Sequence, residues 1–151
     1  NQDTFITRGL DKVRDLFYRK AAEMREGEEY AVLWGTYGVE TRKEMIPWFE
    51  TYNRFRIERG LHLRLVMFEE DKKLVEREMT KAGDPEFQLT HMRFSKEKDY
   101  GSPMQINIYP DSVVLFTFAP GERATAIEIK GKENRDAMRA YFDGLWRQLK
   151  K

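Results

Sequence analysis

The sequence of 151 residues contains no cysteine. This absence excludes disulfides, thiolate metal sites and cysteine nucleophiles. Long apolar runs are also missing, since none approaches the roughly 20 residues that a membrane-spanning helix needs, and no signal-peptide pattern opens the chain. An excess of one charge is missing as well, because 27 basic residues against 26 acidic ones leave a net charge of +1. That balance argues against a dedicated nucleic-acid-binding domain and against a binder of anionic membranes.

Histidine is scarce too. The two histidines, His62 and His91, lie in separate predicted strands, and neither has a second histidine or a suitably spaced carboxylate near it in sequence. A metal site is therefore not expected, and we interpret both as residues of a sheet surface or edge. No serine, histidine and aspartate pattern for nucleophilic catalysis is present either.

The residues that are present predict one domain spanning 1–151, which we expect to be cytoplasmic. Hydrophobic residues make up 40% of the chain and aromatic residues 13%, enough apolar surface for a core at this length. Charged residues reach 35%. Many Lys, Arg and Glu residues without Cys are typical of the surface ion-pair networks of thermophile proteins.

The last third of the chain predicts three strands in series followed by an amphipathic helix. The strands cover Met104–Tyr109, Ser112–Phe118 and Thr125–Lys130, and the helix ends near Trp146. Short turns join these strands, so we expect them to pair antiparallel and to form the core against which the earlier segments pack.

The first two thirds alternate between strands and helices, which predicts parallel pairings through right-handed crossovers. The fold class is therefore α/β, a single mixed β-sheet with helices on both faces. The apolar stripe of the first helix is consistent with two arrangements, packing on the core or a dimer seam. The predicted elements are a strand Thr4–Arg8, a helix from Leu10 to near Gly27, a strand Tyr30–Trp34, a helix Glu40–Arg59, a strand Leu61–Phe68, a helix Lys72–Lys81, a strand Phe87–Phe94 and a loop Ser95–Pro103.

Candidate ligand-binding residues follow the strands, because open α/β sheets bind ligands at the carboxyl ends of their strands. Trp34, Thr36 and Tyr37 belong to the turn after one such strand, and the two aromatic rings are suited to stacking on a sugar or a base. Glu69 follows the next strand, where it either binds a cation or sugar hydroxyls or caps a solvated acidic turn. Arg93 lies at the end of the third strand.

Asn107 is a further candidate, with Gln105 on the same face of its strand. These two side chains either line a pocket or lie on an edge-strand surface. A second polar group, Arg54, Arg56, Arg59 and Arg64, is interleaved with Glu50 and Glu58, and we interpret it as a salt-bridged helix face.

Several segments together resemble the effector domain of TrmB-like archaeal transcription regulators. The resemblance covers nearly the whole chain in matching order, and it is carried by Phe5–Leu16, Tyr30–Gly35, Arg59–Leu65, Ile106–Val114, Ala126–Ile129 and Tyr141–Trp146. It implies a phospholipase D-like fold used for binding, in a homodimer that senses a small molecule such as a sugar or metabolite, without a cofactor. In such regulators DNA is bound by an N-terminal winged helix, and no segment of this chain resembles one.

The resemblance also bears on catalysis. Phospholipase D enzymes carry a His-x-Lys pair followed by Asp. If Asp111 is that Asp, Met104 and Ile106 occupy the His and Lys positions. We therefore expect a non-catalytic effector-binding and dimerisation domain, with a diverged phosphodiesterase or nuclease, or a purely structural assembly module, as the alternatives.

Overall fold

The computed structural model describes residues 3–98 and 101–149. Two residues of the predicted loop Ser95–Pro103, Asp99 and Tyr100, lie outside this part. The helices are α1 Leu10–Ala22, α2 Arg42–Glu58, α3 Lys72–Ala82 and α4 Lys132–Gln148. The strands are β1 Thr4–Arg8, β2 Glu29–Leu33, β3 His62–Phe68, β4 Thr90–Ser95, β5 Met104–Ile108, β6 Ser112–Thr117 and β7 Thr125–Lys130.

All seven strands join in one sheet in the order β1-β7-β6-β5-β2-β3-β4. The predicted parallel pairing holds for β2, β3 and β4, and the predicted antiparallel pairing holds for β5, β6 and β7. The parallel prediction is wrong for β1, which pairs antiparallel with β7 at the far edge. The reason is that β5 occupies the other side of β2 in antiparallel pairing, which leaves no place there for β1.

Helices lie on both faces of the sheet, as the predicted fold class requires. One face carries the large core, in which residues of α1, α2 and α3 pack against Tyr30, Val32, Leu63 and Leu65. The other face carries α4, whose fully buried Phe142 packs on Ala31, Leu33, Val66 and Ile108. None of the helices in the described ranges has the length and apolar character that crossing a bilayer requires.

The apolar stripe of α1 faces the core rather than a partner. Its central ring, Phe17, is 1% exposed and lies edge-on to Phe49 and Tyr52, with centroids 5.4 and 4.7 Å away. Of the two arrangements open from sequence, core packing is therefore the one that the stripe adopts.

Two predicted boundaries differ because side chains take up backbone groups. The Asp84 carboxylate accepts hydrogen bonds from the N–H groups of Gln88 and Leu89, at 2.8 and 2.9 Å. Those amides are not available to the sheet, so β4 begins at Thr90 instead of Phe87. The first helix ends at Ala22 instead of near Gly27, since Glu28 accepts the N–H of Arg25 and forms a separate turn.

The two histidines lie together, although they are far apart in sequence. His62 on β3 and His91 on β4 stack with ring planes 4° apart, and Nδ1 of His62 is 3.3 Å from Nε2 of His91. Parallel pairing of the two strands produces this contact. Within the described residues, no group of three or more His, Cys, Asp or Glu side chains could hold a metal ion.

Candidate functional site

The turn after β2 is held in one conformation by close backbone approaches. Trp34 has a positive φ of 58°, and the Gly35 N–H donates to the Val66 carbonyl of β3 at 2.9 Å. Gly38 has a φ of 81°, and a Cβ there would lie 2.6 Å from the carbonyl oxygen of Phe118. Only glycine fits that position. The side chain of the preceding residue, Tyr37, points inward and is 2% exposed.

Tyr37 reaches a buried acid. Its hydroxyl donates to Oε1 of Glu78 on α3 at 2.5 Å, and Nδ2 of Asn53 on α2 donates to the second oxygen, Oε2, at 2.7 Å. The Glu78 residue is 6% exposed. Burial raises the pKa of Glu78 to about 7, and the hydrogen bonds from Tyr37 and Asn53 oppose that rise only in part.

A buried arginine continues the cluster. Arg56 is 0% exposed, and its Nε donates to Oδ1 of Asn53 at 2.9 Å. Its remaining donors reach the Leu61 carbonyl at 3.0 Å and the Thr90 hydroxyl at 2.7 Å. The predicted salt-bridged helix face is therefore wrong for Arg56, because α2 turns this residue toward the core. Asn53 links its charge to the Glu78 carboxylate.

Beside this cluster lies a cavity of about 40 Å³. Most of its wall is apolar, and polar groups reach it from β2, the β2–α2 turn, α2, α3 and β5. A cavity of this size holds a few water molecules but not a sugar. The polar lining residues are Tyr30, Thr36, Tyr37, Tyr52, Asn53, Glu78 and Gln105.

A second polar chain reaches the cavity from β5. The Thr36 N–H donates to Oε1 of Gln105 at 3.0 Å, and Nε2 of Gln105 donates to Oδ1 of Asn107 at 2.8 Å. Asn107 is 0% exposed and donates in turn to the Tyr109 hydroxyl at 2.8 Å. Of the two placements open for this pair, Gln105 therefore lines the cavity, and Asn107 lies behind it in the core rather than on an edge-strand surface.

The structure brings three of the six predicted site residues together, namely Thr36, Tyr37 and Asn107. The other three lie elsewhere. Trp34 stacks on Phe68, with centroids 4.6 Å apart, and packs with the α4-side core.

Arg93 lies on the α4 face, where its Nη1 donates to the Trp146 carbonyl at 2.6 Å. Its guanidinium lies 4.6 Å from the centroid of the Trp146 ring. Glu69 is exposed in a short 3-10 turn, Glu69–Asp71, after β3. That turn still approaches the cluster, because Asp71 pairs at 2.7 Å with Arg42, whose guanidinium lies 5.4 Å from the Tyr37 ring.

Three residues of the cluster, Glu78, Asn53 and Arg56, were not among the predicted site residues. A signal for each exists, since polar residues interrupt the apolar stripes of their helices. Glu78 is three residues after the buried Val75 on α3, and Asn53 and Arg56 are four and seven residues after Phe49 on α2. Polar side chains at these positions face the core, where each must find a partner.

A separate buried ion pair lies on the same face of the sheet, over β6 and β7. Lys20 of α1 is 3% exposed and contacts Glu128 at 2.8 Å and Asp111 at 2.9 Å. Met104 and Ile106, the positions aligned with the His-x-Lys pair, lie on the α4 face of β5, whereas Gln105 and Asn107 face the main core.

Similarity to known proteins is found at the level of structure. No family profile matches the chain, and no curated protein matches it. Among solved structures, it is similar to TrmBL2, described as an archaeal chromatin protein that shows a novel mode of DNA binding. The TM-score is 0.64 at 10% sequence identity, over 99% of this chain and 53% of that one. The chain therefore shares a fold with TrmBL2 and spans about half its length.

Proposed function

We propose that this chain is a non-catalytic effector-binding and dimerisation domain of a TrmB-like transcription regulator. The observation that carries the proposal is the buried Glu78 cluster, which lies beside a cavity between helices α2 and α3 and the parallel strands β2 and β3. Similarity to TrmBL2 supports the regulatory context. DNA binding would belong to a helix-turn-helix domain and is not assigned to these residues.

The effector would be a small polar molecule. Tyr37, Asn53 and Gln105 offer hydrogen-bonding groups, and Glu78 offers a carboxylate whose pKa lies near neutrality. The cavity of about 40 Å³ is too small for a sugar in this conformation. Binding would therefore require α2 and α3 to move away from the sheet. A ligand that prefers the opened state would shift the population of the regulator between two forms.

Glu69 would contribute at the mouth of the opened site rather than in the cavity. Glu69 is exposed beside the turn that holds Arg42 and Tyr37. Trp34 belongs to the same β2–α2 turn but packs on the α4 face, so it would act indirectly by holding the turn. Arg93 and Asn107 would act indirectly, since their hydrogen bonds are made to the Trp146 carbonyl and to neighbouring side chains of β5.

Absence of catalysis is part of the proposal. The apolar Met104 and Ile106 face α4, and Asp111 pairs with Lys20 at 2.9 Å. This arrangement supports a structural role for Asp111. Hydrolysis of a generic phosphodiester by the purified chain, lost in Asp111→Asn, would instead favour the diverged phosphodiesterase.

The test is a thermal-shift screen against sugars, nucleotides and common metabolites. A ligand at 100 times its dissociation constant should add about 2.7 kcal/mol to the free energy of unfolding. The shift should disappear in Glu78→Gln and persist in Glu133→Gln, because Glu133 is exposed at the start of α4. No shift from any compound would contradict effector binding and favour the structural assembly module.

A further inference from the structure

Strand β1 forms one edge of the sheet, with β7 as its one neighbour. Phe5 is 46% exposed and Ile6 is 59% exposed, on opposite faces of the strand. Thr4 and Arg8 are exposed as well. In the part of the chain that the structure describes, no element covers this edge.

The backbone groups of β1 divide into two sets. The Lys130 N–H donates to the Asp3 carbonyl at 2.7 Å, and the Gly9 N–H donates to the Ala124 carbonyl at 2.9 Å. In an antiparallel pair, residues that bond to the neighbour alternate with residues that point away from it. The odd-numbered residues of β1 therefore bond to β7, and Thr4, Ile6 and Arg8 direct their N–H and C=O groups outward.

The sequence of this edge offers little protection against pairing with another strand. Protected edges usually carry lysine, proline or a bulge. The run Thr4–Thr7 has none of these, and its register with β7 is regular. At the opposite edge, β4 has four of its six residues buried, and Arg93 is held against α4. The two edges thus differ in accessibility.

We propose that a second copy of this chain pairs antiparallel with β1, across a two-fold axis at Ile6. In that register Ile6 faces the partner's Ile6, and Thr4 faces the partner's Arg8. All three outward-pointing residues then find outward-pointing residues opposite them. Each pair exchanges two hydrogen bonds, and the two sheets become continuous.

Side chains favour a second copy over an unrelated strand. The one charged side chain of β1, Arg8, meets a threonine instead of another arginine, so the two-fold pairing places no like charges opposite each other. Ile6, opposite Ile127 of β7 within the chain, gains a cross-strand isoleucine on its other side. Such apolar cross-strand pairs are the units that stabilise sheets. A net charge of +1 gives little overall repulsion between copies.

The β1 edge is the surface through which the dimerisation of the proposed function would occur. The pairing rests on that proposed function only for its biological use. Its test is separate from effector binding, because it measures the molar mass of the unliganded chain. A dimer without any thermal-shift ligand would leave this inference standing while the effector proposal fails, and a ligand-binding monomer would do the reverse.

Light scattering coupled to gel filtration tests the pairing with Ile6→Pro. The N–H of Ile6 points away from β7, so proline there removes an intermolecular donor while sparing the bonds to β7. We expect a wild-type dimer, and dimerisation on the order of tenfold weaker or more in Ile6→Pro, with an unchanged far-ultraviolet circular dichroism spectrum. Tyr141→Ser is the control, since Tyr141 on α4 is the most exposed large apolar side chain among the described residues, at 62%. A monomeric wild type, or a dimer lost in Tyr141→Ser and kept in Ile6→Pro, would overturn the proposal.

Crosslinking gives a second readout that does not depend on proline being tolerated. The chain has no cysteine, so Ile6→Cys introduces a single thiol. Across the two-fold axis the two Cα atoms would lie about 5.5 Å apart, within the range that a disulfide spans. We expect rapid disulfide dimers from Ile6→Cys and few from Met104→Cys, which is 44% exposed away from the edge. Equal crosslinking of the two variants would contradict the pairing.

Discussion

The hydroxyl of Tyr37 donates a hydrogen bond to Oε1 of Glu78 across 2.5 Å. This contact joins the β2–α2 turn to α3 and so connects two sides of the cavity. Burial raises the pKa of Glu78 to about 7 in spite of this bond. The cluster therefore contains an acid that changes its charge near neutral pH.

The first prediction concerns stability and pH. The carboxyl of Glu78 has an ordinary pKa of 4.5, and folding raises it to about 7. A raised pKa means that the folded state holds the proton more tightly than the unfolded state. The contribution of Glu78 to stability is thus present below about pH 4.5 and is lost as pH rises to about 7. Its full size is on the order of 3 kcal/mol.

Chemical denaturation of wild type and Glu78→Gln between pH 5 and 8 measures this effect. The free energy of unfolding of wild type should fall relative to that of Glu78→Gln as pH rises, with glutamine the more stable form at pH 8. Glu133→Gln serves as the exposed control and should follow wild type at every pH. A constant difference between wild type and Glu78→Gln would show that Glu78 does not titrate in this range.

The second prediction concerns the Tyr37 hydroxyl. In Tyr37→Phe the charged Glu78 keeps only the hydrogen bond from Asn53 in this cluster. A hydrogen bond to a charged group contributes about 1.5–3 kcal/mol. We expect a loss of that order at pH 8 and a smaller loss at pH 5, where Glu78 is protonated. Equal losses at the two pH values, measured by urea denaturation, would mean that the hydroxyl does not act on the charge.

Periodicity alone predicted most of the fold, because each element has a regular apolar pattern. It did not predict the place of β1, since pairing with β7 depends on the order in which distant strands meet. Periodicity also did not predict that His62 lies beside His91, 29 positions later in sequence, because the parallel pairing of β3 and β4 produces that contact.

The candidate site was predicted less completely. Thr36 and Tyr37 were found because they follow a strand, and Asn107 because it alternates with apolar residues along its strand. Glu78 and Arg56 were missed because each reads as one more charge on an amphipathic helix. Only their positions within the apolar stripes of α3 and α2 mark them as buried.

The third prediction concerns the turn that carries Tyr37. Gly38→Ala places a Cβ against the Phe118 carbonyl at a φ of 81°. The matched control is Gly27→Ala, which has a φ of 88° and no atom within 4 Å of an added Cβ. Both substitutions place a residue with a Cβ at positive φ, which costs on the order of 1 kcal/mol of stability. Gly38→Ala should lose clearly more stability because its Cβ also collides with the carbonyl. Equal losses in thermal unfolding would show that the turn relaxes around an added methyl group.

The fourth prediction concerns Lys20. Removal of its ammonium in Lys20→Met leaves Glu128, which is 5% exposed, without its cation. A buried charge left unpaired costs about 3–5 kcal/mol. Arg123→Met breaks an exposed ion pair with Glu40 and should cost less than about 1 kcal/mol. Similar losses for the two variants in urea denaturation would mean that water reaches Glu128 in the variant.

The central claim is that the Glu78 cluster binds an effector. Isothermal titration calorimetry of the strongest ligand from the screen tests it most directly, with wild type, Glu78→Gln and Glu133→Gln at pH 8. We expect one saturable site per chain, weakened on the order of tenfold or more in Glu78→Gln and unchanged in Glu133→Gln. Equal affinity for all three proteins would contradict the claim, because the effector would then bind away from this cluster.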